Sequence, residues 1–448
     1  MQAQEHLQPD RIDSIAANLR PYVNKAARAM AEANPENGTT LCDYIFAELT
    51  ERNIADSTRE WRIKVLTWLS KYFQHKKSFK SQSKQDILQY LNTLRKPVSI
   101  DPDQRWVGTY NNRVLVLNKF FRWLYNPDEP DFRKRTTPPC MSGVKQLPKK
   151  NKTRYKPSDM WTAAEHDLFL RFCPQKRDKC YHAMARDTSA RPHELLKLRI
   201  GDLHFKKEPS TGKQYAEVVV SGKTKTRTLP LIDSLPYIKE WMLVHPLSSN
   251  ADTPLFISLS DRNKCKQLTP VALLEQYNYR YKGEFFPKLL LDPSVSLTDK
   301  ETIKGMLSKP WNPYVQRHSA LTEKAQFVTE ATLRDHAGWS MNSDMPLVYI
   351  HFLASSSSKS LLEARGIISK DNHESNILQA IYCPNCQEPN TPHSKFCLKC
   401  KMVLTPEEYA DVAAAYGQGG LKDQISELRK MLGELMVGKG RGGAIGNP

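Results

Sequence analysis

Two arginines followed by a late tyrosine are the residues whose types and order suggest chemistry. Arg191 opens the run Arg191-Pro192-His193-Glu194-Leu195, Arg317 stands in an Arg317-His318 pair, and Tyr349 follows thirty-two residues after Arg317 in Met-Pro-Leu-Val-Tyr-Ile-His-Phe. A phenol that attacks a phosphodiester starts from a pKa of about 10. It is roughly one part in a thousand ionised at neutral pH, a deficit of about 4 kcal/mol. Fixed cations that clamp the phosphate, with an acid for the leaving alkoxide, offset that deficit without metal or ATP.

The rest of the chain suits a polyanionic partner. Its 448 residues exceed a single core and predict two to three domains. Lys and Arg number 66 against 48 Asp and Glu, a formal charge of +18 that makes nucleic acid the default partner, although many basic proteins bind nothing in particular. No run approaches the roughly twenty apolar residues of a membrane span, and the start Met-Gln-Ala-Gln-Glu-His lacks signal-peptide character. An intracellular, DNA-associated protein is expected, with no membrane partner.

Helical spacing begins at Asp56, with Trp61, Val65, Trp68, Leu69, Tyr72 and Phe73 on one face, and returns through Tyr110, Val114, Leu117, Phe120, Phe121 and Leu124. Polar positions of the two helices carry Arg62, Lys64, Lys71, Arg113, Lys119 and Arg122. These read equally well as a solvated face or a phosphate-contacting clamp. Between about Asn126 and Asp159 the periodicity stops and Pro, Lys and Arg accumulate, which predicts an extended basic linker. Thr162 with Glu165 starts a new helix, and strands Ala216 to Ser221 and Thr226 to Ile232 flank a Gly222-Lys-Thr-Lys225 turn. From Asn250 to Pro310 the pattern assigns no element.

Four of the nine cysteines form two knuckles, Cys383-Pro-Asn-Cys386 and Cys397-Leu-Lys-Cys400, ten residues apart. Such spacing supplies four thiolates in a tetrahedron, so a structural zinc ion is expected in a module too small to fold without one. Cys42, Cys140, Cys173, Cys180 and Cys265 read as packing residues or free thiols. Leu421, Ile425, Leu428, Leu432 and Leu435 mark a coiled-coil seam or an amphipathic docking helix.

The boxes together resemble the tyrosine recombinase, or phage-integrase, family over roughly residues 40 to 352. Thr188-Ser-Ala-Arg191-Pro-His-Glu194-Leu195 is similar to the family's first box, and Pro192 fits the first position of a helix whose N-terminus favours an anion. The resemblance implies that Arg191 is the first phosphate clamp and that Glu194 holds the box in place. Pro313-Tyr314-Val-Gln-Arg317-His318 matches a His-x-x-Arg-His box, with Arg317 as second clamp and Tyr314 where histidine is usual. A phenol there donates to a phosphate but cannot act as an imidazole base.

In the hairpin, Lys223 matches the lysine that protonates the leaving 5′ oxygen, with Lys225 as substitute. In Gly338-Trp339-Ser340, Trp339 fills the position before the nucleophile Tyr349, with His336 the second choice. That run, followed by Asn-Ser-Asp-Met-Pro, resembles archaeal integrases.

The fold class implied is mainly α with a mixed α/β catalytic domain. Domains are expected as a helical core-binding clamp over 1–130, the basic linker over 131–160, and the integrase-type catalytic domain over 161–355. A linker or helix over 356–377, a zinc ribbon over 378–404 and a C-terminal helix with a flexible tail over 405–448 complete the chain. The implied activity is site-specific recombination of double-stranded DNA through a 3′-phosphotyrosyl link, in a four-protomer assembly, with zinc structural and no cofactor for catalysis. The alternatives are relaxation of the type IB topoisomerase kind and a DNA-binding protein without catalysis.

Overall fold

Proline sets the starts of the first three helices in the computed structural model of the chain, which describes residues 9–149, 155–222, 225–353 and 377–417, with isolated positions between 362 and 367. Helices α1 (Pro9–Ala16), α2 (Pro21–Ala33) and α3 (Pro35–Arg52) each place a fixed φ and a missing N–H where a helix has no use for the donor. The described residues divide into two compact units, with the boundary between Lys152 and Thr153.

The N-terminal unit is helical throughout. Helices α4 (Asp56–Tyr72), α5 (Lys84–Asn92) and α6 (Trp106–Leu124) complete it; the face predicted for α6 enters the core, whereas on α4 the buried face is rotated from the predicted one, leaving Trp68 and Tyr72 exposed. Ile63, Leu66 and Leu69 of α4 pack with Val114, Leu117, Phe120 and Phe121 of α6. The cationic exterior expected of these two helices is mostly spoken for. Arg62 is buried and paired with Glu48, Arg113 donates to the Tyr90 hydroxyl at 2.7 Å, and Arg122 donates to the carbonyl oxygen of Arg135. Lys64 pairs with Glu60 at 2.7 Å, leaving Lys71 and Lys119 as the exposed members of the set. The linker differs from its expected bounds as well. Cys140, Met141 and Val144 sit in this unit's core, Arg135 pairs with Glu51, and Asn111 bonds both backbone groups of Leu147. Few apolar residues sufficed, because side chains from elsewhere satisfy the segment's polar groups.

In the C-terminal unit a three-stranded antiparallel sheet of β1 (Leu203–Lys207), β2 (Gln214–Ser221) and β3 (Thr226–Leu231) lies in sequence order. Its register pairs Ala216 with Leu231, Val218 with Leu229 and Val220 with Arg227, all buried. Helices α7 (Ala163–Phe172), α8 (Lys176–Thr188), α9 (Pro192–Leu195) and α10 (Leu235–Met242) surround it. Thr162 and Glu165 form the capping box that the sequence predicts for α7.

The stretch without an assignment contains α11 (Pro270–Glu275), a π-helix over Gln276–Phe285, α12 (Phe286–Leu289) and α13 (Leu297–Ser308). Tyr277, Tyr281 and Phe286 from it enter an aromatic core around Phe169, whose ring stacks on Tyr277 at 5.5 Å and Phe286 at 5.7 Å. Helices α14 (Pro313–Lys324), α15 (Glu330–Ala337) and α16 (Met345–Leu353) follow.

Beyond them, β4 (Ile381–Tyr382) and β5 (Pro389–Asn390) belong to the four-cysteine module, before α17 (Pro406–Gly417). The module is docked on the preceding helices and sheet of its own unit. Glu388 is buried against Lys239 and Gln214, His393 meets Asp167 at 2.5 Å, and the Tyr382 hydroxyl donates to the Gln214 carbonyl at 2.9 Å. The Leu421 to Leu435 stretch lies outside the described residues. Among the described residues no helix is long and apolar enough to cross a membrane.

Candidate active site and metal centre

Helix ends build the first half of the site. Thr188 ends α8, Ser189 caps it in the left-handed region at φ 47°, and the chain then delivers Arg191 in extended backbone as the cap of α9. Glu194 folds back, taking the Arg191 backbone N–H at 2.9 Å and its guanidinium at 2.8 Å. Because α9 is only one turn long, the anion-favouring field expected of a helix N-terminus is small, and the cation at this spot is the Arg191 side chain itself.

Arg317, buried on α14, donates to the carbonyl oxygens of Ser189 and, at 2.9 Å, Ala337. These are the C-terminal ends of α8 and α15, where a helix dipole is negative, so two helices hold the guanidinium in place. Burial, and then the neighbouring Arg191, bring its pKa down to about 10, which leaves it charged at neutral pH.

Tyr349 on α16 completes the arrangement. Its ring is fully buried and lies between Trp339, at 5.4 Å and 21°, and His318, at 5.6 Å and 22°. The hydroxyl meets Nδ1 of His318 at 2.7 Å. Burial, followed by the adjacent Arg317, holds the His318 pKa down to about 4, so the imidazole is neutral at pH 7, and in the tautomer protonated on Nε2 its Nδ1 accepts from the phenol. Burial pushes the Tyr349 pKa up, and Arg317 and Arg191 oppose that rise. Behind His318 packs Tyr155, its ring 4.7 Å away and its hydroxyl bonded to Asn312 at 2.8 Å. Asn312 is also the cap of α14, accepting from the backbone N–H groups of Tyr314 and Val315.

Arg191, Tyr314, Arg317, His318, Trp339 and Tyr349 line one open cavity of about 370 Å³. His336 is elsewhere: it lines a second cavity of about 680 Å³ with Lys324, Phe327 and Asp233. The hairpin residue Lys225 pairs with Asp335, and Lys223 lies outside the described residues.

One site residue, Arg227, is not legible in the sequence. His318 is a supporting residue there, beside Arg317, and in the fold its imidazole meets the Tyr349 hydroxyl. Arg227 bridges Glu194 and the carbonyl oxygen of His336, at 2.9 Å each. Its signal lies in the strand alternation, since Arg227 falls in phase with the inward-facing Leu229 and Leu231. Burial works to raise the Glu194 pKa, but Arg227, the Arg191 backbone and the Arg191 guanidinium outweigh it and hold it at about 2.

Four neutral histidines make the C-terminal unit acid-sensitive. Burial depresses the pKa of His318 to about 4 and of His182 and His336 to about 3, and drives that of His166 well down, against about 6.5 in an unfolded chain. The unfolded state therefore takes up protons first as pH falls. Stability present above a pH of about 6.5 is lost as pH drops toward the folded values, and the window from about 6.5 to about 4.5 precedes the carboxylates. Melting temperature should fall steadily across that window. A flat profile would show that these rings are charged in the fold.

The four cysteines meet as the spacing predicts. All four Sγ atoms lie within 4.8 Å of one another, with separations of 3.5 Å for Cys383 to Cys400 and 3.6 Å for Cys386 to Cys397. Thiolates at about 2.3 Å from a tetrahedral ion stand roughly 3.8 Å apart, whereas a disulfide requires about 2.05 Å. The two knuckles repeat one turn. Gln387 and Lys401, each directly after the second cysteine, sit at φ 56° and 63°, and their N–H groups bond the Cys383 and Cys397 carbonyls at 2.8 and 3.0 Å. The donor set fits zinc.

No family model matches the chain, and no curated protein matches it. Solved structures with a similar course include the XerH site-specific recombinase bound to palindromic difH substrate, at TM-score 0.48 and 16% identity over 81% of this chain and 98% of that one. The Tn1549 transposon integrase with transposon right end DNA aligns at TM-score 0.44 and 14% identity, over 73% of this chain and 99% of that one. A lambda integrase dimer bound to a COC′ core site aligns at 0.41 and 14%, over 69% and 94% respectively. At such identities, the roles of individual residues rest on the geometry of the site described above.

Proposed function

We propose that the chain is a site-specific DNA recombinase or integrase that cuts and rejoins DNA through a 3′-phosphotyrosyl intermediate. One observation carries the reading. A buried tyrosine hydroxyl bonds a neutral imidazole in a cavity whose walls include two arginines, and the carboxylate that faces them, Glu194, is shared with a third.

In the proposed step a phosphodiester enters between Arg191 and Arg317. The Tyr349 oxygen forms the new bond to phosphorus, its proton passes to His318 Nδ1, and the bond to the 5′ oxygen breaks. Lys223, or Lys225 in its place, returns a proton to that oxygen, with Tyr314 donating to the phosphate. Trp339 rather than His336 fills the position before the nucleophile, because it shares the cavity with Tyr349. The link conserves the energy of the broken bond, so religation to a second strand needs no further input. Four protomers on two duplexes complete the exchange, and the Gly338 to Pro346 run keeps archaeal integrases as the nearest subclass in pattern.

The test is a nicked suicide duplex, which traps the adduct. A covalent complex confined to one DNA sequence supports recombination, sequence-independent relaxation of supercoils points to a topoisomerase, and tight binding without an adduct leaves a DNA-binding protein. The four cysteines hold a structural zinc ion in this scheme, and none of them lines the tyrosine cavity. Chelation should lower the melting temperature of the C-terminal unit while a suicide substrate is still cleaved. Elemental analysis without zinc, or cleavage lost at temperatures where the fold survives, would refute that division of labour.

A further inference from the structure

Three guanidinium groups, Arg191, Arg227 and Arg317, surround the single carboxylate of Glu194, a summed charge of +2 among these four residues. Arg227 differs from the other two. It is almost fully buried on an inward-facing strand position, does not line the tyrosine cavity, and its Nη1 is buried without a hydrogen-bond partner among the described residues. Two glycines make room for it. A Cβ on Gly338, at φ 68°, would lie 2.7 Å from Arg227 Nη1, and one on Gly222 would lie 2.6 Å from Glu194 Oε1 and 3.3 Å from Arg227 Nη1. The arginine thus touches the first box at Glu194, the turn before the nucleophile at His336 and Gly338, and the hairpin at Gly222.

We infer that Arg227 is a positioning residue that divides the charge of Glu194, so that Arg191 keeps an unspent positive charge facing the cavity. The inference rests on the proposed function for the identity of the anion, a phosphodiester. Without Arg227 the whole carboxylate charge falls to Arg191, and the four-residue sum drops from +2 to +1. Replacing Glu194 by glutamine as well returns it to +2, since the side-chain amide carries no charge and its oxygen still accepts the Arg191 N–H.

The experiment is a double-variant cycle of Arg227→Met and Glu194→Gln with two readouts. The first is the rate of covalent adduct formation on a suicide duplex at saturating DNA. The second needs no chemistry: the rise in melting temperature on adding inorganic sulfate, relative to chloride at equal ionic strength, with Arg191→Ala as the baseline. Arg227→Met should slow the adduct at least tenfold with unchanged DNA affinity and should shrink the sulfate effect toward that baseline. Adding Glu194→Gln should recover about tenfold in rate, within the coupling range of residues in one ion-pair network, and restore the sulfate effect. Losses that simply add, or an Arg227→Met protein indistinguishable from wild type, overturn the assignment. A wild-type protein that forms no adduct while the sulfate cycle keeps its pattern overturns the recombinase reading and leaves Arg227 in its role.

Discussion

Tyr349→Phe should bind DNA as tightly as wild type and form no covalent complex. The substitution removes one oxygen from a ring held by Trp339 and His318, and both stacking contacts survive it. The lost hydrogen bond to His318 costs about 1 kcal/mol of stability, too little to unfold the unit. Under the proposed function DNA affinity rests on many Lys and Arg contacts of a chain with +18 formal charge, so it should be insensitive to a buried phenol. The suicide-substrate gel is therefore expected to lose its shifted band while a binding isotherm stays in place. A shifted band at the normal rate would relocate the nucleophile, and Tyr314, exposed in the same cavity, would be the residue to substitute next.

The second large effect separates the two clamp arginines. Arg191→Ala and Arg317→Ala should each slow cleavage by about 100-fold to 1000-fold, the magnitude seen when one donor to a developing oxyanion is removed. Their stabilities should diverge. Arg191 is partly exposed and bonded within its own turn, so its loss leaves Glu194 still paired to Arg227. Arg317 is buried and supplies donors to the ends of α8 and α15, so its loss strands two carbonyl oxygens and should lower stability by roughly 2 to 4 kcal/mol. Denaturant melts read alongside cleavage rates test this. Equal stabilities for the two variants would contradict the bridging role of Arg317, and near-normal cleavage by either would remove it from the clamp.

Much of this is legible in the residues because local rules write it. The Thr162–Glu165 cap, the alternation of β2 and β3 and the twin cysteine knuckles are each decided by neighbours within a few positions. What escapes depends on partners far along the chain. Nothing near Arg62 announces Glu48, and nothing near Leu147 announces the Asn111 amide that ties it down. The π-helix cannot be seen because a period-3.6 template does not fit its wider turn. His318 follows Arg317 in sequence, but only the fold brings α16 across so that Tyr349 reaches it. Arg227 is hidden by expectation, since a charged residue at an inward strand position is rare unless it is paired.

The docking of the four-cysteine module bears on where the chain can be cut. A protein ended after α16 would keep the tyrosine and both clamp arginines, yet Lys239 and Asp167 would lose Glu388 and His393 as partners. The backbone carbonyl of Gln214, at the first residue of β2, would lose the hydroxyl of Tyr382. Among the described residues Lys239 would keep only the Gln214 side chain and Asp167 only Arg171, so the loss is of several contacts that hold the module's face of the unit. The shortest fragment that keeps these contacts therefore runs to Leu404 or beyond, and one ended after α16 should melt at a lower temperature than the longer chain.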